Sequence, residues 1–274
     1  MVKILRAGIR KTLLDNIPEL TDCFEPTVPG KDTPKPYAVV LQGNDVDNGD
    51  TIGFKRTIEI WLYEKRTTFK KLDTLTGKVI DCLDFKTIVD ENEAFTCKFE
   101  GSTGQDVVDE DWDCIARGLQ FSVIALYEDT AERSDTWVEA LTRYTNDLLG
   151  INVYKDNWKM NFVAPCALWR VTDVEQERVN YDLVRIDKTL KCHIVSKDKD
   201  EIINLLDKLE TQLIIDKRVQ LNERRMFLKV DNVKESRDAD MFTTGQLTVT
   251  FSLLGKIKRN IPALNHMQGR GTLN

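Results

Sequence analysis

Thr57-Ile58-Glu59-Ile60-Trp61-Leu62-Tyr63 and, 132 residues further on, Thr189-Leu190-Lys191-Cys192-His193-Ile194-Val195 read as one strand written twice. Successive strand side chains point to opposite faces, so Ile58, Ile60 and Leu62 form one face and Glu59, Trp61 and Tyr63 the other. In the second stretch His193 alternates with Cys192 and Ile194 and faces away from their core.

The flanks repeat as well. Tyr37-Ala38-Val39-Val40-Leu41 makes a hairpin with the first strand across the polar turn Gly43 to Asp50, and Cys166-Ala167-Leu168-Trp169 behind Pro165 takes its place 129 residues later. Leu5, Ile9 and Leu13 fall on one helical stripe stopped by Pro18, matched by Trp137, Leu141, Tyr144 and Leu148. Leu72, Leu75, Val79 and Leu83, with Thr67 or Thr68 as N-cap, predict a second helix, matched by Ile202, Leu206, Leu209 and Leu213. Strands at Phe95–Phe99 and 118–126 close the first copy, and strands at 225–230 and 245–251 the second, with Gly245 standing 127 residues after Gly118.

This pattern predicts an α+β fold: two tandem copies of a small helix-on-antiparallel or mixed-sheet domain, each ordered helix, strand, strand, helix, strand, strand. The copies span residues 1–128 and 134–256, with a polar linker near 128–135. Residues 257–274 lose all periodicity. With Lys256, Lys258, Arg259 and Arg270 and no acid, that end of the chain reads as a basic C-terminal arm.

Composition narrows the class. The chain has 274 residues, 41% hydrophobic and 31% charged, as folded proteins do. No stretch approaches the ~20 apolar residues that cross a bilayer, and the start lacks a signal-peptide core, so no membrane role and synthesis in a cytoplasm are expected. Residues 1–130 carry 16 Lys/Arg against 24 Asp/Glu, and residues 131–274 carry 23 against 21. That is not the footprint of a duplex-DNA reader, but it suits stacking between unlike surfaces.

Chemistry-bearing motifs are sparse. The six cysteines show no C-x-x-C pair, and Cys97 shares a face with Phe95 and Phe99, as a small core thiol does. Counted from Asp45, a calcium loop needs Gly at position six and Glu at position twelve, where Asp50 and Arg56 stand. Asp106, Asp109, Glu110, Asp111 and Asp113 form an acidic cluster, open to three readings: a solvated loop, a metal site of a nuclease, or a surface kept negative. No Lys, Arg or His lies between Gly101 and Cys114 to orient a phosphate. His193 and His266 are the only histidines and read as bystanders. No catalytic, metal or cofactor site is expected. Trp61 and Tyr63 mark a subunit contact if their face lies open, and an in-domain face if a helix covers it.

The order of elements resembles the tail terminator (tail completion) proteins of long-tailed phages. The likeness runs over Leu5 to Leu126, through the Ile17-Pro18-Glu19-Leu20 helix end and a proline loop into Pro36-Tyr37-Ala38-Val39-Val40, and recurs over Trp137 to Leu254. It implies a virion protein of the tail or neck, assembled in the bacterial cytoplasm. Its ring, usually six-membered, would end polymerisation of the tail tube protein and meet the head-tail connector. A double-length chain departs from the simple pattern: six chains could carry an outer second layer beside a contractile tail sheath, or three chains could make a pseudo-sixfold ring. The acidic 106–113 loop would then line a lumen that passes DNA without binding it, and Lys256, Lys258 and Arg259 would clamp a neighbour. Another tube, connector or baseplate subunit is the alternative.

Overall fold

The computed structural model describes residues 5–46, 51–90, 93–127, 134–222 and 226–256. In the first half, α1 (Leu5–Asn16) precedes β1 (Cys23–Phe24), β2 (Tyr37–Val46) and β3 (Lys55–Lys65), and then come α2 (Phe69–Leu83), β4 (Thr87–Asp90), β5 (Glu93–Asp109) and β6 (Cys114–Ala125). The second half repeats this: α3 (Thr136–Leu149), β7 (Asn152–Lys155), β8 (Cys166–Arg178), β9 (Leu183–Val195), α4 (Lys199–Asp216), β10 (Arg218–Asn222), β11 (Met226–Glu235) and β12 (Leu247–Lys256). The sheets are ordered β1-β2-β3-β6-β5-β4 and β7-β8-β9-β12-β11-β10, the same topology twice. In each the outermost first strand runs parallel to its neighbour and the remaining pairs are antiparallel. The tandem α+β architecture expected from the repeat is therefore present.

β3 alternates without a break: Ile58, Ile60 and Leu62 are buried, and Thr57, Glu59, Trp61 and Tyr63 are half-buried. The buried set meets Leu5, Ile9 and Leu13 of α1 and Leu72, Leu75, Val79 and Leu83 of α2 in one core. Each fully buried aliphatic contributes about 1.5–3 kcal/mol, so α2 is held by its stripe rather than by its cap. Its N-cap Thr68 makes no side-chain cap bond. The second core joins Trp137 and Leu141 of α3 and Ile202, Leu206, Leu209 and Leu213 of α4 to Leu190, Cys192 and Ile194. Here carboxylates do cap: Asp135 accepts from Trp137 N and Asp198 from Asp200 N.

Several boundaries differ from the sequence expectation. Short edge strands β1, β4, β7 and β10 are added. The acidic stretch expected as a 106–113 loop is partly strand: β5 runs to Asp109, so only 110–113 turn, and β11 likewise runs on to Glu235. Polar residues extend these strands because their partners β6 and β12 carry the apolar alternation, and register shifts absorb the mismatch, one of them between Thr103 and Val107. By ladder register Thr57 pairs Ser122 and Thr189 pairs Thr250, so Gly118 answers to Gln246 and Gly245 lies one residue before it.

A third core, which the repeat did not foretell, lies between the two halves. Ile52, Ala94, Ile124 and Leu126 from one end of the first sheet pack on Cys166, Leu168, Val195, Trp158, Phe162 and Phe242 of the second half. The arriving end also brings backbone partners. Trp158 N donates to Thr51 O (3.1 Å), Tyr127 N to Trp158 O (2.8 Å), and Thr51 Oγ1 to Phe242 O (2.8 Å). Lys55 pairs with Asp240 at 2.8 Å. Phe242→Ala should cost about 3–5 kcal/mol and split urea unfolding into two transitions, because it empties the seam while leaving both helix-on-sheet cores whole. A single transition at the wild-type midpoint would contradict this.

Candidate functional site

The face of the first sheet turned away from α1 and α2 carries Tyr37 and Val39 of β2 and Glu59, Trp61 and Tyr63 of β3. Trp112 from the β5–β6 turn and Pro26 and Pro29 from the loop before β2 close its sides, leaving an open groove of about 380 Å³. No helix among the described residues covers it, so the face that carries Trp61 and Tyr63 lies open within the chain. The indole of Trp61 lies against Gly118, where a Cβ would stand 2.8 Å from a ring carbon, so only glycine lets the ring lie flat. Trp61 Nε1 donates to Glu59 Oε2 at 2.9 Å. Tyr37 and Tyr63 stack with ring centroids 4.8 Å apart, and Phe24 meets Tyr37 edge-on.

Tyr37 is fully buried, yet its hydroxyl has no hydrogen-bond partner among the described residues. A buried unmade bond costs about 1–3 kcal/mol. Burial pushes the Tyr37 and Tyr63 hydroxyls above their ordinary pKa, and the nearby Asp109 carboxylate adds to the effect.

The acidic residues do not converge. Asp106 takes a bidentate contact from Arg117, Nε to Oδ1 at 2.7 Å and Nη2 to Oδ2 at 2.6 Å, and Arg117 also bonds Asp73. Glu110 pairs with Arg66 at 3.2 Å, while Asp111 and Asp113 are exposed at the turn. Cations thus do reach this hairpin, from outside the segment, which weakens the reading of a bare metal cluster. Among the described residues Asp207, Glu210 and Glu235 do bring carboxylate oxygens within 4.8 Å, but Arg237 already bridges Asp207 and Glu235, each at 2.7 Å. Burial and the neighbouring Glu235 push Glu210 upward in pKa. A larger cleft, about 670 Å³, lies between α3 and edge strand β10, where Arg143 donates to Leu221 O. It holds no comparable unsatisfied group. Lys256 is exposed at the end of β12; Lys258, Arg259, His266 and Arg270 lie outside the described residues, as do 47–50 of the calcium-like turn.

His193 does face away from the α3/α4 core, but it is fully buried in the seam. Its Nδ1 lies 2.9 Å from Met241 O, its Nε2 accepts from Arg170 Nε at 3.1 Å, and Trp158 meets the ring edge-on. That the imidazole accepts from Arg170 makes it neutral and structural.

No family model matches the chain, and no curated protein matches it. Among solved structures, it is similar to a chain of the "Virion of native gene transfer agent (GTA) particle", with a TM-score of 0.37 and 16% identity over 44% of this chain and 93% of that one. No helix among the described residues is long and apolar enough to cross a membrane.

The seam carries a pH signature. Burial drives the His193 pKa down to about 3, the Arg170 and Lys191 charges act in the same sense, and the Met241 carbonyl and Asp240 oppose. The unfolded chain protonates this histidine near its ordinary value of 6.5 and the folded one does not, so the stability it contributes is lost as pH falls from 6.5 towards 3. Burial raises Asp240, but Lys55 and Thr243 outweigh it and hold the group at about 2, so acid removes that contribution too, at lower pH. Denaturation midpoints should fall on acidification below pH 6.5, and His193→Gln should flatten the upper part of that slope. An unchanged slope in the variant would contradict the assignment.

Proposed function

We propose that this chain is a structural subunit of a phage-type virion that assembles into a closed ring at the head-proximal end of a tail, of the tail terminator kind. The observation that carries the reading is the seam: two copies of one domain are already joined by unlike surfaces, the end of one sheet against the helix-free face of the other. Contacts of that heterologous type generate rings when the rotation closes. The ring would end tube growth and offer its two faces to the tail tube protein and the head-tail connector, with the second copy available to a contractile sheath. No catalytic, metal or cofactor role is assigned.

Size-exclusion chromatography with light scattering and negative-stain microscopy of the purified chain tests this. Short closed rings with threefold or sixfold symmetry are expected. Open stacked tubes would instead indicate a tube subunit, and a monomer at all concentrations would remove the ring.

The exposed turn acids Glu110, Asp111 and Asp113, with the half-buried Asp109 that ends β5, fit a lumen, where like charge repels passing DNA phosphates. Neutralising them together, as Asn and Gln, should leave ring assembly intact and slow DNA ejection from reconstituted particles. Unchanged ejection kinetics would count against the lumen position.

A further inference from the structure

The groove on the first domain is the same surface that the second domain uses to hold the first. Tyr37 pairs Tyr63 and Val39 pairs Trp61 in the β2–β3 ladder, and in the β8–β9 ladder Cys166 pairs Val195 and Leu168 pairs His193. The four positions correspond one to one. Trp112 and Phe242 both come from the connection into the last strand, while Pro26 and Pro29 stand in the connection that supplies Trp158 and Phe162. In the second domain this face is covered by Trp158, Phe162 and Phe242 of its own loops together with Ile52, Ala94, Ile124 and Leu126 of the first domain, whereas in the first domain it is an open groove.

The arriving end is copied too. Leu126 N bonds Ala94 O, so these two residues lie opposite each other at the end of β5 and β6. The pairing Thr96–Ile124 is reproduced by Lys229–Ser252, which sets Phe227 opposite Leu254. Ala94 and Leu126 are buried in the seam at 4% and 6% exposure, while their counterparts Phe227 and Leu254 stand 42% and 60% exposed. The copy is partial, since Ile124 of the seam answers to Ser252, but Phe227 and Leu254 leave each chain with an unused apolar version of the end whose other copy is buried.

We infer that a second copy of this chain fills the groove: the end of its second domain, led by Phe227 and Leu254, seats on Tyr37, Trp61, Tyr63 and Trp112, repeating head to tail the contact made within the chain. Side-chain bulk has moved accordingly. The groove strands carry Tyr, Trp and Tyr where the seam has Cys, His and Val, and the loop carries prolines where the seam has Trp158 and Phe162. The ion pair is not copied, because Asp187 stands at the ladder position of Lys55, so the contact rests on apolar area. Three chains joined this way would set six domains in one head-to-tail series. The inference rests on the self-assembly in the proposed function but not on its place in a tail.

Sedimentation velocity on the full chain, with Trp61→Glu as groove variant and Phe227→Asp/Leu254→Asp as end variant, tests it. The wild type should associate. Each variant alone should be weakened by about 30-fold or more, as for a central interface anchor. The two variants mixed should form a one-to-one pair and nothing larger, since one intact groove then meets one intact end. A mutation-free readout is available because Trp137, Trp158 and Trp169 are buried, which leaves Trp61 and Trp112 as the indoles iodide can quench. Quenching should fall as concentration rises, and this reading stands even if a variant fails to fold. Wild-type assembly by either folded variant overturns the inference. Loss in the groove variant alone would give the groove to another occupant, such as the basic segment after Lys256. Rings that survive both variants would keep the proposed function and remove this contact; open fibres abolished by both would do the reverse.

Discussion

The structure depends on burying both faces of one sheet. A sheet covered by helices on one side has a second face to shelter, and in the second domain that face is apolar enough that water is its worst neighbour. Trp158, Phe162 and Phe242 meet in edge-to-face and tilted pairs over Cys166, Leu168 and Val195, with centroids 5.4 to 5.8 Å apart. Aromatic pairs of this geometry add about 0.5–1.5 kcal/mol each beyond the area they bury. The polar groups trapped there are paired: Trp158 Nε1 and Thr51 Oγ1 share the Phe242 carbonyl, and both ring nitrogens of His193 have partners. An unsatisfied histidine in that place would cost more than the packing returns.

The first domain meets the same constraint without a partner of its own. Its helix-free face keeps Tyr37 buried with an unmet hydroxyl and leaves Trp61 and Trp112 only half covered. Single exposed hydrophobics are ordinary, but a concave aromatic surface whose twin in the same chain is buried has a definite meaning. A duplicated domain inherits both sides of its contact, and one side of each copy is left over at either end. Closed assembly satisfies such leftovers; an isolated chain does not.

How far the sequence shows this follows from period. The β3 and β9 strands were legible because Ile58, Ile60, Leu62 and Leu190, Cys192, Ile194 alternate strictly, and α2 and α4 because their leucines recur every three or four residues. β1, β4, β7 and β10 were not, being two to five residues long with no room for a pattern. The outward direction of His193 could be read, but not what covers it, since Trp158 and Phe162 sit in a loop without periodicity and are buried by contacts distant in sequence. The strand character of the first part of the 106–113 stretch was hidden for a related reason: it is imposed by β6, and Arg117, the partner of Asp106, belongs to that neighbouring strand. Trp61 and Tyr63 were visible as candidates. Tyr37 was hidden inside an apolar run, and its lone hydroxyl is apparent only in three dimensions.

The central claim is that one interface, made once inside the chain, is made again between chains. A cryo-electron microscopy map of the assembled particle at side-chain resolution tests it most directly. The account predicts Phe227 and Leu254 of one chain lying over Tyr37 and Trp61 of the next, as Ala94 and Leu126 pack with Cys166 and Leu168 within each. A groove left empty, or filled by any other segment, would contradict it.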